Sequence, residues 1–353
     1  MRMKLLAFLF FFAITGGARG ADEAIVLKSD HPTNYAVKSG DTLWDIAARF
    51  LRDPWRWPDI WVVNPQITNP HLIYPGDEVI LTYKDGRPQL ELRRGAEPTQ
   101  AGPRTVKLQP RVRIQPTLGP IPTLSVEAIT PLLNHPGVMT EKELEDLPYV
   151  AALDDEHLVG GLGNRIFARA LPAGDVTRYR LIRRGAEYRD PKTDKFLGIE
   201  IIDVGDVLAE RFGDPATLRV TRAQLEIRVG DRLIPLDNGR KSDYNFLPRA
   251  PEFPVDAHII GAIGSMSRIG QYQVVAISAG TQDKIEAGHV LVIYEAGNRV
   301  VDPINEADGP RKFRLPERRA GYAVVFRPFE KVSYALVMVA EHEIRVRDNV
   351  RTP

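Results

Sequence analysis

Apolar and polar positions follow different rhythms along this chain, and each rhythm predicts a different kind of structure. Near the N-terminus a β-prone stretch, Tyr35-Ala36-Val37, runs into the turn Lys38-Ser39-Gly40-Asp41. Apolar residues then recur at helical spacing: Leu43, Ile46, Ala47, Phe50 and Leu51. Thr42 and Asp45 are spaced as a capping box at the start of this helix, and Asp53-Pro54 breaks it. Pro58 suits the first turn of a second helix, with Ile60, Trp61 and Val63 as its apolar residues and Asn64-Pro65 as its end. After the Pro75-Gly76 turn, Val79-Ile80-Leu81 reads as a strand, so the predicted order is β-α-α-β.

Beyond residue 150 the rhythm changes to short alternating or β-branched runs at 218–220, 225–229, 290–294, 323–326 and 334–339, with glycine-rich punctuation between them. The chain also repeats itself there. His157-Leu158-Val159-Gly160-Gly161-Leu162-Gly163 recurs as His258-Ile259-Ile260-Gly261-Ala262-Ile263-Gly264. Gly185 precedes Asp190-Pro191 as Gly297 precedes Asp302-Pro303, Gly205 and Arg211 recur as Gly321 and Arg327, and Glu226-Ile227-Arg228-Val229 recurs as Glu343-Ile344-Arg345-Val346, each followed two residues on by Asp. Two tandem, related small barrels or sandwiches are expected, at 151–247 and 252–353. Residues 84–150 read as a Pro-rich linker, since Pro110, Pro116, Pro120 and Pro122 forbid a regular helix or central strand. Within it, 105–114 alternates Val106, Leu108, Val112 and Ile114 with polar residues as an edge strand would, and Thr140 with Glu143 predicts a short acidic helix over 140–147. The fold class is therefore α+β: a βααβ module, a linker, and a mainly-β region.

The first twenty residues add a destination. Arg2 and Lys4, the apolar run 5–14 and the small residues up to Ala18-Arg19-Gly20 have the layout of a secretory signal peptide, with cleavage expected after Gly20. That run is well short of the roughly 20 residues that span a bilayer, and the later run 335–340 has the length of a buried strand, so no transmembrane segment is expected after signal cleavage. Cysteine is absent, which excludes disulfides, thiol nucleophiles and thiolate metal sites. Lys plus Arg total 47 against 46 Asp plus Glu, which leaves no net field to recruit nucleic acid.

The residues Tyr35-x-Val37-x-x-Gly40-Asp41-Thr42-Leu43-Trp44-x-Ile46-Ala47, then Asn64-Pro65, then Ile73-Tyr74-Pro75-Gly76-Asp77 resemble the LysM family. The resemblance covers 33–83 and implies a two-stranded sheet packed under two helices that binds N-acetylglucosamine-containing glycan, which in a bacterium means peptidoglycan. It places the ligand in a shallow groove with Gly40, Asp41, Thr42 and Leu43 on one wall and Leu72, Ile73 and Pro75 on the other. The segment 52–57 is longer and more aromatic than usual in that family. Its Trp55 and Trp57 are candidates for stacking on sugar or for contact with a partner, whereas Trp44 and Trp61 are expected to fill the small core.

Catalytic sets are missing. The seven His, at 31, 71, 135, 157, 258, 289 and 342, show neither H-x-H nor H-E-x-x-H spacing, so no metal and no cofactor is expected. Asp154, Asp155 and Glu156 read as a solvated acidic loop. Gly160 to Gly163 lacks the Lys-Ser/Thr of a phosphate loop, and Arg178, Arg180, Arg183 and Arg184 alternate with apolar residues as the wet face of a strand. The expectation is a non-catalytic peptidoglycan-binding protein of the periplasm or cell wall, whose β repeats meet an envelope protein partner or act as spacer. The alternative is a peptidoglycan hydrolase with a carboxylate site in the β repeats.

Overall fold

A computed structural model describes residues 25–61, 73–94, 137–154, 158–172, 174, 176–236, 247–263, 269–295, 297, 299–301 and 312–353. The signal segment, Asn64-Pro65, Leu72, the alternating run 105–114, Asp155, Glu156, His157, Gly264 and Asp302-Pro303 lie outside these residues.

The first module is built as its apolar rhythm requires. Strand β1 (Asn34–Ala36) leads to helix α1 (Leu43–Phe50), a 3-10 turn (Pro54–Arg56), helix α2 (Trp57–Trp61) and strand β2 (Glu78–Lys84). Thr42 caps α1 by accepting from the Asp45 amide, and Leu43, Ile46, Ala47 and Phe50 bury one face against Val37, Leu51, Ile60, Ile73 and Val79. The module's sheet has a third strand, β3 (Arg87–Arg93), inside the stretch assigned to the linker, and its Leu90 completes the core. Pro88 is tolerated there because β3 is an edge strand with β2 as its partner.

Two closed barrels follow. In the first, β5 (Tyr149–Leu153), β6 (Arg165–Arg169), β7 (Arg178–Arg189), β8 (Phe196–Arg211), β9 (Ala216–Ala223) and β10 (Arg232–Pro235) close a ring through β5–β6, β6–β9, β9–β8, β8–β7, β7–β10 and β10–β5. β4 (Gly137–Met139) and the capped helix α3 (Glu141–Glu145), also inside the expected linker, add to this unit, β4 by pairing with β8. In the second, β11 (Asp256–Ile263), β12 (Val274–Ile277), β13 (Val290–Glu295), β16 (Arg318–Pro328), β17 (Ser333–Ala340) and β18 (Asn349–Arg351) close in the same order. A small hairpin, β14 (Arg299–Val301) with β15 (Lys312–Arg314), stands where β7 and β8 run on unbroken in the first barrel.

The duplication is thus one of topology, and hydrogen bonds fix its register. Val150 exchanges bonds with Asp231 and Gly230 as Ile259 does with Asp348 and Arg347, so Val150 and Ile259 are equivalent. Gly160 bridges Ile227 as Ile269 bridges Ile344. The pairings of Gly205 with Gly321 and of 226–231 with 343–348 hold in this register. The pairing of His157 with His258 does not, because His258 corresponds to Tyr149 and lies within β11. The run 225–229, expected as a strand, is a loop with a single bridge at Ile227.

The second barrel is apolar on two surfaces. Val275, Ile277, Leu291, Ile293, Ala323, Val325, Ala335 and Val337 fill its interior, while Val274, Ala276, Val292, Tyr322, Val324, Tyr334, Leu336 and Met338 form a second buried cluster outside it. Strands covered on both faces read as continuous apolar runs, which is what 334–339 is. Trp44 and Trp55 of the first module and Tyr188, Val138 and Leu197 of the first barrel lie on that outer cluster. Tyr334 also donates from its hydroxyl to the Gly137 carbonyl at 3.2 Å.

Candidate functional site

One four-residue turn recurs through the molecule, and two copies of it build the candidate site. At 38–41 the Lys38 N–H donates to Asp41 Oδ2 at 2.8 Å, the Asp41 N–H donates back to the Lys38 carbonyl at 3.2 Å, and Gly40 takes φ of +90°. At 74–77 the Tyr74 N–H donates to Asp77 Oδ2 and the Asp77 N–H to the Tyr74 carbonyl, both at 3.0 Å, with Gly76 at φ +98°. Glycine stands at these third positions because an L side chain there is strained. Val37 ties the two turns side by side: its N–H donates to the Asp77 carbonyl and its own carbonyl accepts from the Gly76 N–H.

The carboxylates of both turns are occupied with holding them. Asp41 Oδ2 also accepts from the Tyr35 hydroxyl at 3.0 Å, and the Arg49 guanidinium lies 4.4 Å from the centre of the Tyr35 ring. Burial and the Asp41 carboxylate push the Tyr35 hydroxyl above its ordinary pKa. Asp77, nearly buried, accepts from Arg94 Nη1 at 3.0 Å. Ser39, Gly40 and Gly76 are exposed, with the Gly76 N–H taken by the Val37 carbonyl and no atom within 4 Å of where a Cβ would project from either glycine.

Of the wall residues read from the sequence, Gly40 is exposed, and Asp41 and Pro75 are half-buried. Thr42, Leu43 and Ile73 are not open walls. Thr42 is buried as the α1 cap, and Leu43 and Ile73 lie inside the module's core. The reason is size: a module this small takes its core from the residues flanking its turns, so a charge at Ile73 would unfold it rather than probe a contact. Leu72 is outside the described residues.

The tryptophans are redistributed as well. Trp57, a stacking candidate, is 1% exposed in the core, edge-on to Trp61 at 6.2 Å. Trp44, expected in that core, is instead packed against the second barrel, and so is the half-buried Trp55. Asp45 and Asp53 seal this contact: Asp45 Oδ1 accepts from the Tyr272 hydroxyl at 3.1 Å, and Asp53 Oδ1 accepts from the Tyr322 hydroxyl at 2.5 Å with Arg319 Nη1 3.7 Å away. Burial, reinforced by Asp53, drives the Tyr322 hydroxyl above its usual range.

Three of the arginines read as the wet face of a strand are held in ion pairs. Arg180 pairs with Asp206, Arg183 forks onto Asp231 at 2.7 and 2.8 Å, and Arg184 meets Glu141 and Glu187. Among the described residues no group of three or more His, Asp or Glu has the geometry to hold a metal ion.

Residues 35–82 match the LysM domain family. A stretch of 58 residues is 41% identical to an uncharacterized protein, YqbP, of Bacillus subtilis (strain 168), covering 14% of this chain and 26% of that relative. The chain thus spans about a quarter of the length of the curated relative it matches.

Proposed function

We propose, from the premise that residues 35–82 of this chain are a LysM domain, that the protein is a non-catalytic peptidoglycan-binding protein of the cell envelope. The domain recognises N-acetylglucosamine-containing glycan through the exposed backbone of its two glycine turns. The observation that carries this reading is the pairing of the 38–41 and 74–77 turns through Val37. It sets two stretches of open main chain next to each other, and acetamido groups need backbone donors and acceptors of that kind. The signal-like residues 1–20 support export to the periplasm or wall. The barrels hold the module in place and present the rest of their surface as a partner-binding or spacer region.

The test uses the full chain and purified sacculi. The protein is expected to co-sediment with them and to release no soluble muropeptides. Gly40→Asn combined with Gly76→Asn should lower retention by about tenfold, since Asn tolerates positive φ while its side chain projects over the open backbone. Undiminished retention of this folded variant contradicts the site. Muropeptide release that one carboxylate substitution abolishes contradicts the non-catalytic reading.

A further inference from the structure

The turn that carries Tyr272 lacks the third-position glycine that most of its siblings have, as the turn with Arg347 also does. In the first barrel the equivalent turn, 161–164, is closed by Asn164 Oδ1 accepting from the Gly161 N–H at 2.7 Å, with Gly163 at φ +85°. In the second barrel Gln273 Oε1 accepts from the Gly270 N–H at 2.9 Å in the same way, but the third position is Tyr272, at φ +63°. A bulky residue in the left-handed region is strained, and such strain persists where the surrounding structure gains from the side chain it carries. Neighbouring Gln271 anchors the turn by donating from Nε2 to the Met338 carbonyl at 3.0 Å.

Two hydrogen bonds carry that side chain to the glycan site. The Tyr272 hydroxyl donates to Asp45 Oδ1 at 3.1 Å, and Asp45 Oδ2 accepts from the Thr42 hydroxyl at 2.7 Å, directly after the 38–41 turn. A partly exposed hydrogen bond is worth about as much as the backbone strain costs, so it does not by itself account for a tyrosine there. The ring is the remaining gain: Tyr272 stays 38% exposed, and its hydroxyl is linked through Asp45 and Thr42 to a turn that offers backbone polar groups. A pyranose ring has an apolar C–H face that an aromatic side chain covers while its polar rim is hydrogen-bonded.

We propose that the glycan site is composite, with Tyr272 of the second barrel as an outer contact residue that receives a further sugar of the strand lying along the 38–41 and 74–77 turns. This rests on the LysM reading above. It makes the docked barrel part of the binding surface, so affinity grows with strand length beyond what the LysM module alone supplies.

Isothermal titration of the full chain with the N-acetylglucosamine trimer and hexamer tests it. Wild type should bind the hexamer at least about tenfold more tightly than the trimer. Tyr272→Gly, which relieves the left-handed backbone and so remains folded, should lose most of that hexamer advantage while keeping its trimer affinity. Tyr272→Phe, which retains the ring, should keep the advantage. An unchanged hexamer-to-trimer ratio in Tyr272→Gly overturns the composite site and leaves the LysM site standing. An equal loss for both oligomers assigns Tyr272 to docking alone and overturns the contact role. Failure of wild type to bind either oligomer removes the glycan reading itself.

Discussion

At the scale of single residues, the same turn answers the same geometric demand with different chemistry, and the differences are measurable. In the copies at 228–231 and 345–348 an aspartate Oδ2 accepts from the first N–H at 2.8 Å, yet the third position is Gly230 at φ +93° in one and Arg347 at φ +81° in the other. Gly230→Arg should therefore cost about 1 kcal/mol in urea denaturation, and Arg347→Gly should gain somewhat less, because glycine also loses more freedom on folding. At 286–289 the acceptor is a histidine: the Glu286 N–H donates to His289 Nδ1 at 3.1 Å, which requires a neutral ring. Burial, then the charge of Arg249, lowers the His289 pKa, and burial with Lys192 lowers that of His258. A histidine whose folded pKa is depressed contributes its full share of stability above the unfolded value near 6.5 and loses it as pH falls below that value. Melting temperature should accordingly fall between about pH 7 and pH 5, and His289→Asp, which restores the commoner acceptor, should flatten that slope. A slope unaltered by His289→Asp would contradict the role given to this ring. Of these turns, those at 38–41 and 75–76 were legible in the sequence. What was not legible was that Ile73, between a loop and such a turn, faces the core, since one apolar residue at a boundary fits a wall and a core equally well.

Among elements, the helical period of α1 and the apolar run of β17 could be read directly, whereas their partners could not. The period shows that α1 has an apolar face, and Trp44 lies just off it, so its burial against a distant barrel has no signature in local spacing. The true register of the duplication was hidden for a related reason. His157 and His258 match by letter, but the fold aligns the chains through hydrogen-bonded loop closures, and the loop between the first two strands shifts the match. Gly205 and Gly321 were found because both meet a physical constraint: a Cβ would lie 2.2 Å from the Arg222 carbonyl oxygen in one barrel and 1.9 Å from that of Val339 in the other. The obstacle is backbone, which cannot rotate away. Gly205→Ala and Gly321→Ala should each destabilise by about 2–3 kcal/mol or prevent folding, and near-neutral effects in thermal denaturation would show that the crossing can open at little cost.

For the whole molecule, the outer apolar face of the second barrel is the organising feature. It collects Trp44 and Trp55 from the LysM module and Tyr188 from the first barrel, so the LysM domain is held against a platform. Trp44→Ala should release the module, raising the radius of gyration in small-angle scattering, while Tyr322→Phe, which removes the hydroxyl that donates to Asp53 and accepts from Arg319, should weaken docking by at least about 1 kcal/mol. Domain boundaries drawn from proline content missed this arrangement, because β3, β4 and α3 each lie within the stretch assigned to the linker and each packs onto a neighbouring module. On the proposal made above, glycan is gripped where the two glycine turns meet the edge of this platform. Amide chemical shifts of the full chain, followed while N-acetylglucosamine tetramer is added, test it most directly. Saturable shifts are expected at residues 38–43, 74–77 and 271–273 with the rest of both barrels unmoved; shifts confined to other surfaces, or none at saturating ligand, would rule out this site.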